Sequence, residues 1–409
     1  MAGLFRAAGY DIVPFDATAD IFVINTCSVT SLSDRKSRQM IRRAHKQNPA
    51  ALIAVVGCYA QMNDAEAAAL PGVMVVVGRE GKQNIVNLTE RALREKRIVR
   101  TVTQTPPAAF ETLTVNEHPE RTRAFLKIED GCQNFCSYCI IPYARGPIRS
   151  LPLSDIRREV EKIAAGGFQE IVLTGIHIGM YGRDLSDHPT LTDVCREILS
   201  VPQIKRLRLG SLESLEVDDG LLSLMVEDPR LMPHLHLPLQ SGSDTILRAM
   251  NRHYTTADYA ALTAKIRAML PNVAVSTDII VGFPGETEDL FAESLTFVQS
   301  QNFSRVHVFP YSVRQGTPAA AMDNQIPPSV KKERAHKMQQ ATEQMSVAYR
   351  AAQVGTTARV LWETYRDGLT DGLTENYIRV YAHGQFPAGT IGCVRLTEIF
   401  ADGLKGVPT

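Results

Sequence analysis

Short apolar runs alternating with helix-spaced segments recur through the first three quarters of this chain, and they constrain the fold more than any other feature. Three runs, 21–25, 52–56 and 73–77, are mostly β-branched and show no polar alternation. Strands of that kind are buried on both faces, as in a parallel sheet covered by helices. Helical stretches at 31–47, 63–69 and 81–96 lie between and after them. The expected product is a small doubly wound α/β domain over 1–104. The stretch 105–121, which contains Pro106-Pro107, is expected to be a linker. Alternation then resumes with a longer period. Strands are expected at 125–128, 170–173, 206–209, 234–237, 273–281 and 305–309, with helices at 154–165, 191–199, 257–270 and 288–301. Six β/α units predict a partial (β/α)6 barrel over 122–349, whose chemistry sits in loops at the C-terminal strand ends. A polar helix at 331–350 is expected to leave the barrel. Beyond it, 358–363, 377–382 and 394–399 read as strands without helices between them, so 350–409 is a small all-β, barrel-like module.

Composition narrows the function classes. At 409 residues the chain is long enough for two or three domains, and 44% hydrophobic with 22% charged residues fits a soluble globular protein. No apolar run approaches the roughly 18 residues a membrane span needs. The N-terminus lacks the order of a signal peptide, so a cytoplasmic protein with no membrane partner is expected. Lys+Arg and Asp+Glu both total 44, so there is no global basic field and any nucleic-acid surface must be local. Seven cysteines in a reducing compartment point to metal or catalytic use rather than disulfides.

Three of them, Cys132, Cys136 and Cys139, stand as C-x3-C-x2-C on one loop after the first barrel strand. Three thiolates can hold three corners of a cubic four-iron cluster and leave one iron open. The amino and carboxylate groups of S-adenosylmethionine (SAM) can occupy that iron, and one electron passed to the sulfonium breaks a carbon–sulfur bond and releases a 5′-deoxyadenosyl radical. The competing reading is zinc, which wants a fourth Cys or His at compatible spacing, and none lies nearby. Tyr138 stands where an aromatic would cover the adenine, and plain packing explains it nearly as well.

Cys27 and Cys58 end the first two apolar strands, at the edge of a parallel sheet where open α/β folds bind ligands. They are either two ligands of a second cluster or two well-packed thiols. Cys195 and Cys393 match no ligand motif. His234 and His236 share a strand face, which invites a metal reading. Polar barrel-interior residues near a cofactor explain the pair better. Gly175, Glu213, Gln240 and Gly282, in loops after barrel strands, are candidate cofactor contacts, with turns and caps as rival explanations. Arg145 either neutralises a carboxylate or is an ordinary surface arginine. The 31–47 helix carries six basic residues against one acid, Asp34. Its Arg35, Arg38 and Arg42 fall on one face and are the best local candidates for phosphate contact.

C-x3-C-x-aromatic-C matches the signature of the radical SAM superfamily, and Gly282-Phe-Pro-Gly-Glu286 resembles that fold's later glycine segment beside the adenine. The longer stretch Lys127-Ile-Glu-Asp-Gly-Cys-Gln-Asn-Phe-Cys-Ser-Tyr-Cys-Ile-Ile-Pro-Tyr-Ala-Arg-Gly146 resembles the methylthiotransferases, which insert sulfur and a methyl group into a C–H bond. The resemblance covers essentially the whole chain. It implies two [4Fe-4S] clusters with SAM, and it implies a C-terminal TRAM module in which Tyr377, within Glu375-Asn-Tyr-Ile-Arg-Val380, stacks on a base of a tRNA partner. Asn25-Thr-Cys27 and Gly57-Cys-Tyr-Ala-Gln61 match the auxiliary-cluster motifs, so Cys27 and Cys58 are implied ligands. The family's third auxiliary cysteine precedes the first helix, where this chain begins. A start site set too late is the favoured explanation, and the chain as it stands is expected to hold that cluster poorly. Lys127-Ile-Glu-Asp-Gly131 and Val308-Phe-Pro-Tyr-Ser-Val-Arg-Gln-Gly-Thr-Pro318 look most like the branch that methylthiolates N6-threonylcarbamoyladenosine beside the tRNA anticodon. In that branch one SAM donates a methyl group, a second yields the radical that takes hydrogen from C2, and the auxiliary cluster delivers sulfur. The rivals are siblings acting on isopentenyladenosine or a ribosomal protein, and a non-catalytic metal-bearing RNA-binding protein. Electron donor and sulfur source are not written in the sequence.

Overall fold

The computed structural model describes residues 1–105, 107, 109–111 and 122–409. Most of the expected linker at 105–121 therefore lies outside the described residues. The chain groups into two compact units: Met1–Glu117 with Asp130–Arg149 and Ser312–Ala321, and His118–Glu129 with Ser150–Tyr311 and Met322–Thr409. The loop bearing Cys132, Cys136 and Cys139 thus belongs with the N-terminal domain, although the sequence places it inside the barrel segment.

In the first unit α1 (Ala2–Ala7) precedes a parallel sheet of β1 (Ile21–Thr26), β2 (Leu52–Gly57), β3 (Val73–Val77) and β4 (Val99–Thr101), in that order. The short β4 escapes a reading based on apolar runs because two of its three residues are polar. Ile53 and Val55 of β2 join one core with Ile41 and Tyr59, while Leu52 and Val56 join another with Val75 and Ile85. Both faces are covered, which is why these strands show no polar alternation. Each buried aliphatic contributes about 1.5–3 kcal/mol relative to exposure. Helix α2 (Ser31–Gln47) starts at Thr30, whose hydroxyl accepts the Ser33 amide at 3.1 Å. The helix expected at 63–69 is α4 (Asp64–Ala68), and a further short helix, α3 (Cys58–Met62), precedes it, separated at Asn63, whose φ of −134° leaves the helical region. A 3₁₀ turn, Lys82–Asn84, leads into α5 (Ile85–Glu95).

In the second unit β5 (Ala124–Lys127), β8 (Glu170–Thr174) and β9 (Arg206–Arg208) form one parallel sheet, and β10 (His234–His236), β11 (Ala274–Val281) and β12 (Arg305–Pro310) another. Parallel bridges Leu207–Leu231 and Ser211–His236 continue the first sheet into the second. The six expected strands therefore follow one another around an arc. The two-residue strands β6 (Glu129–Asp130) and β7 (Arg149–Ser150) bracket the cysteine loop and its helix α6 (Ile141–Arg145). The outer helices are α7 (Leu153–Ala165), α8 (Leu191–Leu199), α9 (Asp219–Glu227), α10 (Asp244–Ala249), α11 (Thr256–Met269) and α12 (Glu288–Ser300).

Helix α13 (Pro328–Ala351) was expected to leave the barrel, and instead packs along β12 and α12. Its Lys331, Arg334, Ala335, Met338, Thr342 and Ser346 form a buried stripe at three- and four-residue spacing. That stripe is mostly polar, so composition concealed it. Arg334 donates to Glu286 at 2.9 Å and the Lys331 ammonium to the Tyr311 carbonyl at 3.2 Å.

The C-terminal module is a closed barrel of β13 (Thr357–Arg366), β14 (Leu369–Thr374), β15 (Arg379–His383), β17 (Gly403–Pro408) and β16 (Ile391–Phe400). Val360, Trp362, Val380, Val394 and Leu404 fill it. A buried joint fastens it to the strand arc. Glu170 receives Arg208 Nε at 3.1 Å and lies 3.4 Å from Arg206 Nη1. The terminal nitrogens of Arg206 and Arg208 also reach the carbonyls of Arg359, Leu373, Thr374 and Glu375 at 2.7–3.1 Å.

Candidate functional site

The cysteine loop is held open by backbone geometry. Gly131 has φ +105°, and a Cβ there would lie 2.0 Å from the Pro147 carbonyl oxygen. Only glycine lets the two ends of the loop approach so closely. The Cys132 amide donates to Gly146 O at 3.1 Å, and the Cys139 amide to Cys136 O at 2.9 Å. Phe135, at φ +46°, reverses the chain between Cys132 and Cys136. Cys136 is buried, while Cys132, Cys139 and Tyr138 are half-buried. The Ile141 amide points at Cys139 Sγ, 3.4 Å away.

Cys27 and Cys58 lie in the same unit. Thr26 and Gly57 are paired across β1 and β2, so both cysteines follow matched positions at the C-terminal edge of the sheet. Gly57, at φ +104°, brings the second strand end within 2.6 Å (measured from a hypothetical Cβ) of Thr26 O. Cys58 is buried and Cys27 exposed. Arg145 ties this pair to the cysteine loop: its Nε donates to Cys58 Sγ at 3.1 Å and its Nη1 reaches Asp130 at 3.3 Å. Arg149 also faces Asp130, at 3.5 Å. Burial disfavours the Arg145 charge, but the Cys58 sulfur, Asp130 and Cys27 together raise its pKa above the ordinary arginine value. Arg145 thus serves a carboxylate, and a sulfur besides. The segment Ser312–Ala321 completes the unit, with Arg314 donating to buried Asp34 at 2.5 Å and the Ala319 amide to Ser137 O at 2.8 Å. Asp34, the one acid of the basic helix, is therefore consumed in an internal ion pair.

The basic face of α2 is smaller than its sequence suggests. Arg35 and Arg42 are exposed, but Arg38 turns toward Glu66 at 3.4 Å and lies over the Tyr59 ring at 5.9 Å.

The remaining sequence candidates fall in the second unit. Gly175 is exposed, and the next two amides, of Ile176 and His177, donate to Glu129 Oε2 at 2.8 and 2.7 Å. Glu213 is gripped by both terminal nitrogens of buried Arg252, one at 3.0 Å. Gln240 adopts φ +68° and bridges to β11 through Asp278 O and the Ile280 amide, each at 2.8 Å. Gly282, at φ +70°, would place a Cβ 2.4 Å from Lys331 Cγ, so the close neighbour that requires glycine here is a lysine stem. Tyr377, which the resemblance implies as a base-stacking ring, is 39% exposed with three side chains around it. Arg208 lies 4.4 Å above it, the His234 ring is 4.7 Å away and Arg123 donates to its hydroxyl at 3.2 Å.

These last residues line a cavity of about 1100 Å³ in the second unit. His234 and His236 do share a face, both within hydrogen-bond distance of Ser276 Oγ at 3.2 and 2.9 Å. His234 is buried, which together with Arg208 holds its pKa well below the usual histidine value. His236 groups instead with Asp278 and His307, two residues the sequence reading passed over. A signal existed: Ser276-Thr277-Asp278 is a polar step inside a strand that is apolar on either side. Glu170, Arg206 and Arg208 were missed because the partners that let them be buried lie 36 or more residues away in sequence.

Comparisons with known proteins agree with this architecture. The Radical SAM superfamily model matches residues 126–298, and that of Uncharacterized protein family UPF0004 matches 1–78. The chain is 40% identical to the threonylcarbamoyladenosine tRNA methylthiotransferase MtaB of Bacillus subtilis, over 93% of this chain and 86% of that protein. It is 36% identical to the MtaB of Thermotoga maritima, over 99% and 92%. It is also 36% identical to the tRNA-2-methylthio-N(6)-dimethylallyladenosine synthase of Novosphingobium aromaticivorans, over 99% and 92%. Among solved structures, the radical SAM methyltransferase TsrM from Kitasatospora setae superimposes with a TM-score of 0.54 at 14% identity, covering 84% of this chain and 80% of that one, a likeness of fold. Among the described residues no helix is long and apolar enough to cross a membrane. With a three-cysteine loop of this spacing and relatives of this identity over nearly its whole length, the chain belongs to the radical SAM tRNA methylthiotransferases.

Proposed function

We propose that this protein methylthiolates C2 of N6-threonylcarbamoyladenosine next to the tRNA anticodon. The observation that carries the sulfur-transfer half is Arg145, which ends the helix after Cys139 and donates to Cys58 Sγ at 3.1 Å. The two cysteine groups thereby share one compact unit. Three thiols on one loop exceed what a disulfide uses, and soft sulfur donors without a nearby fourth ligand suit an iron–sulfur cluster with one open iron. Cys132, Cys136 and Cys139 would hold that cluster, and Cys27 and Cys58 would contribute to a second. When bound, the first supplies an electron to SAM and the second supplies sulfur.

The chain's own residues position and shield. Buried Cys136 keeps water from its side of the loop. Arg145 keeps a positive charge within hydrogen-bond distance of Cys58 Sγ. Glu129 fixes the backbone after Gly175, and Arg252 fixes Glu213. These, with Tyr138, Gln240 and Gly282, are the proposed SAM contacts. The C-terminal barrel is proposed as a TRAM module, with Tyr377, Arg35 and Arg42 toward tRNA.

The choice of base rests on the cavity lining. A threonylcarbamoyl group carries a carboxylate, a hydroxyl and a ureido group, all of which need hydrogen-bonding partners. A dimethylallyl group needs an aliphatic wall. Arg208, Ser211, Ser276 and Arg305 offer partners of the first kind. Nucleoside analysis of tRNA from a deletion strain tests the proposal. Methylthiolated threonylcarbamoyladenosine should vanish and return with the gene, while methylthiolated isopentenyladenosine is unchanged. The reverse pattern assigns the sibling substrate, and anaerobic protein that never cleaves SAM is no enzyme of this class.

A further inference from the structure

The cavity wall in the second unit holds a donor set that the sulfur chemistry does not use. His236, Asp278 and His307 come from three neighbouring parallel strands, β10, β11 and β12. Asp278 and His307 are direct register partners, and His236 pairs with Ser276 two residues before Asp278, so all three project from one face. One ligand-capable atom from each lies within 4.8 Å of the others. All three are half-buried and line the cavity.

We propose that His236, Asp278 and His307 bind one divalent transition-metal ion of the zinc, cobalt or nickel type, with open coordination positions facing the cavity. Two imidazoles and a carboxylate are the ligand types such ions take, and three protein ligands on a cavity wall leave room for a substrate oxygen. The His236–Asp278 separation fits this better than a plain ion pair. His236 Nε2 and Asp278 Oδ2 are 3.3 Å apart. A charge-assisted N–H···O bond would close to about 2.7–2.9 Å. Two donors each about 2.0–2.1 Å from a tetrahedral metal stand roughly 3.4 Å apart. Ser276 Oγ engages His236 Nδ1 at 2.9 Å, which leaves Nε2 for the ion, as an outer-sphere partner of a metal histidine does. The set is also wrong for an anion, because Asp278 would repel one. Placement on strands rather than loops fixes the three donors before any ion arrives. The site stands whichever modified base enters the cavity.

The test uses the full chain with its iron–sulfur content reconstituted anaerobically, dialysed against zinc and assayed for both metals. Wild type should retain one zinc per chain beyond its iron. The zinc absorption edge should show nitrogen and oxygen neighbours and no sulfur, which separates this site from zinc on cysteines. His307→Ala and Asp278→Asn should each weaken retention by a hundred-fold or more, with unchanged thermal unfolding and iron content. Cys27→Ser/Cys58→Ser should leave zinc retention untouched. Zinc absent from wild type, zinc with sulfur neighbours, or zinc held equally by His307→Ala overturns the site.

Discussion

The cysteine loop and the cavity wall place polar chemistry on opposite kinds of scaffold. In the first unit the candidate functional atoms sit just beyond strand ends: Cys27, Cys58 at the start of α3, and the Cys132–Cys136–Cys139 turn, with Arg145 reaching between the groups. In the second, His234, His236, Asp278 and His307 stand on the strands themselves, with Ser276 Oγ between the first two. A loop can bring several donors together within a few residues, at the cost of special backbone conformations such as those of Gly131, Phe135 and Gly57. A sheet brings donors together from distant parts of the chain without strain, because adjacent strands lie about 4.8 Å apart. The first arrangement suits a large cofactor that supplies its own rigidity. The second suits a shaped pocket.

Three substitutions and one labelling experiment test this contrast, in order of expected effect. Cys136→Ala should remove a cluster ligand from the loop and lower reductive SAM cleavage on the order of a thousand-fold or more, with iron content reduced and the fold intact by circular dichroism. Substantial cleavage by this variant would mean the loop is not the catalytic scaffold. Glu170→Ala attacks the other scaffold, leaving two buried guanidinium groups without their carboxylate. It should cost about 3–5 kcal/mol and lower the unfolding temperature by roughly 10 °C, with SAM cleavage per folded molecule preserved. A shift of a degree or two would show that the joint is ornamental.

Arg145→Ala should separate the two cysteine groups functionally. SAM cleavage should persist while methylthio product falls by about 10–100-fold, as when a hydrogen-bonding partner of a metal ligand is removed. Equal loss of both activities would place Arg145 with the radical chemistry alone. The smallest effect concerns Cys195, a thiol with no site role. Burial pushes its pKa up to about 12. A raised folded pKa contributes stability below the ordinary thiol range and loses it as pH climbs from about 8.5 toward that value. Native protein at pH 8 should therefore alkylate exposed Cys393 and spare Cys195, which reacts only on unfolding. Rapid labelling of Cys195 would mean that α8 opens readily.

Much of the architecture was legible because burial leaves a record in composition. Strands covered on both faces read as unbroken aliphatic runs, and β3 and α2 fell within the expected bounds. Polar elements were not legible in this way. Helix α13 hid its buried stripe behind lysine and arginine, and β14 and β17 are too rich in glycine and threonine to stand out. Arg38, on the basic face by spacing, is turned toward Glu66, and the Tyr377 ring is flanked by Arg208 and His234. Side-chain partners distant in sequence cannot be inferred from a helix face or a motif.

By itself the sequence determined the alternating α/β organisation, the all-β end and the three-cysteine loop, since each is a pattern of neighbours along the chain. Only the tertiary structure decided that this loop groups with Cys27 and Cys58, that Arg145 bridges them and that α13 closes on β12. It also decided that His236, Asp278 and His307 converge. The physical reason is common to all of these. Local spacing fixes which residues share a face, whereas strand pairing and buried charge compensation fix which faces meet.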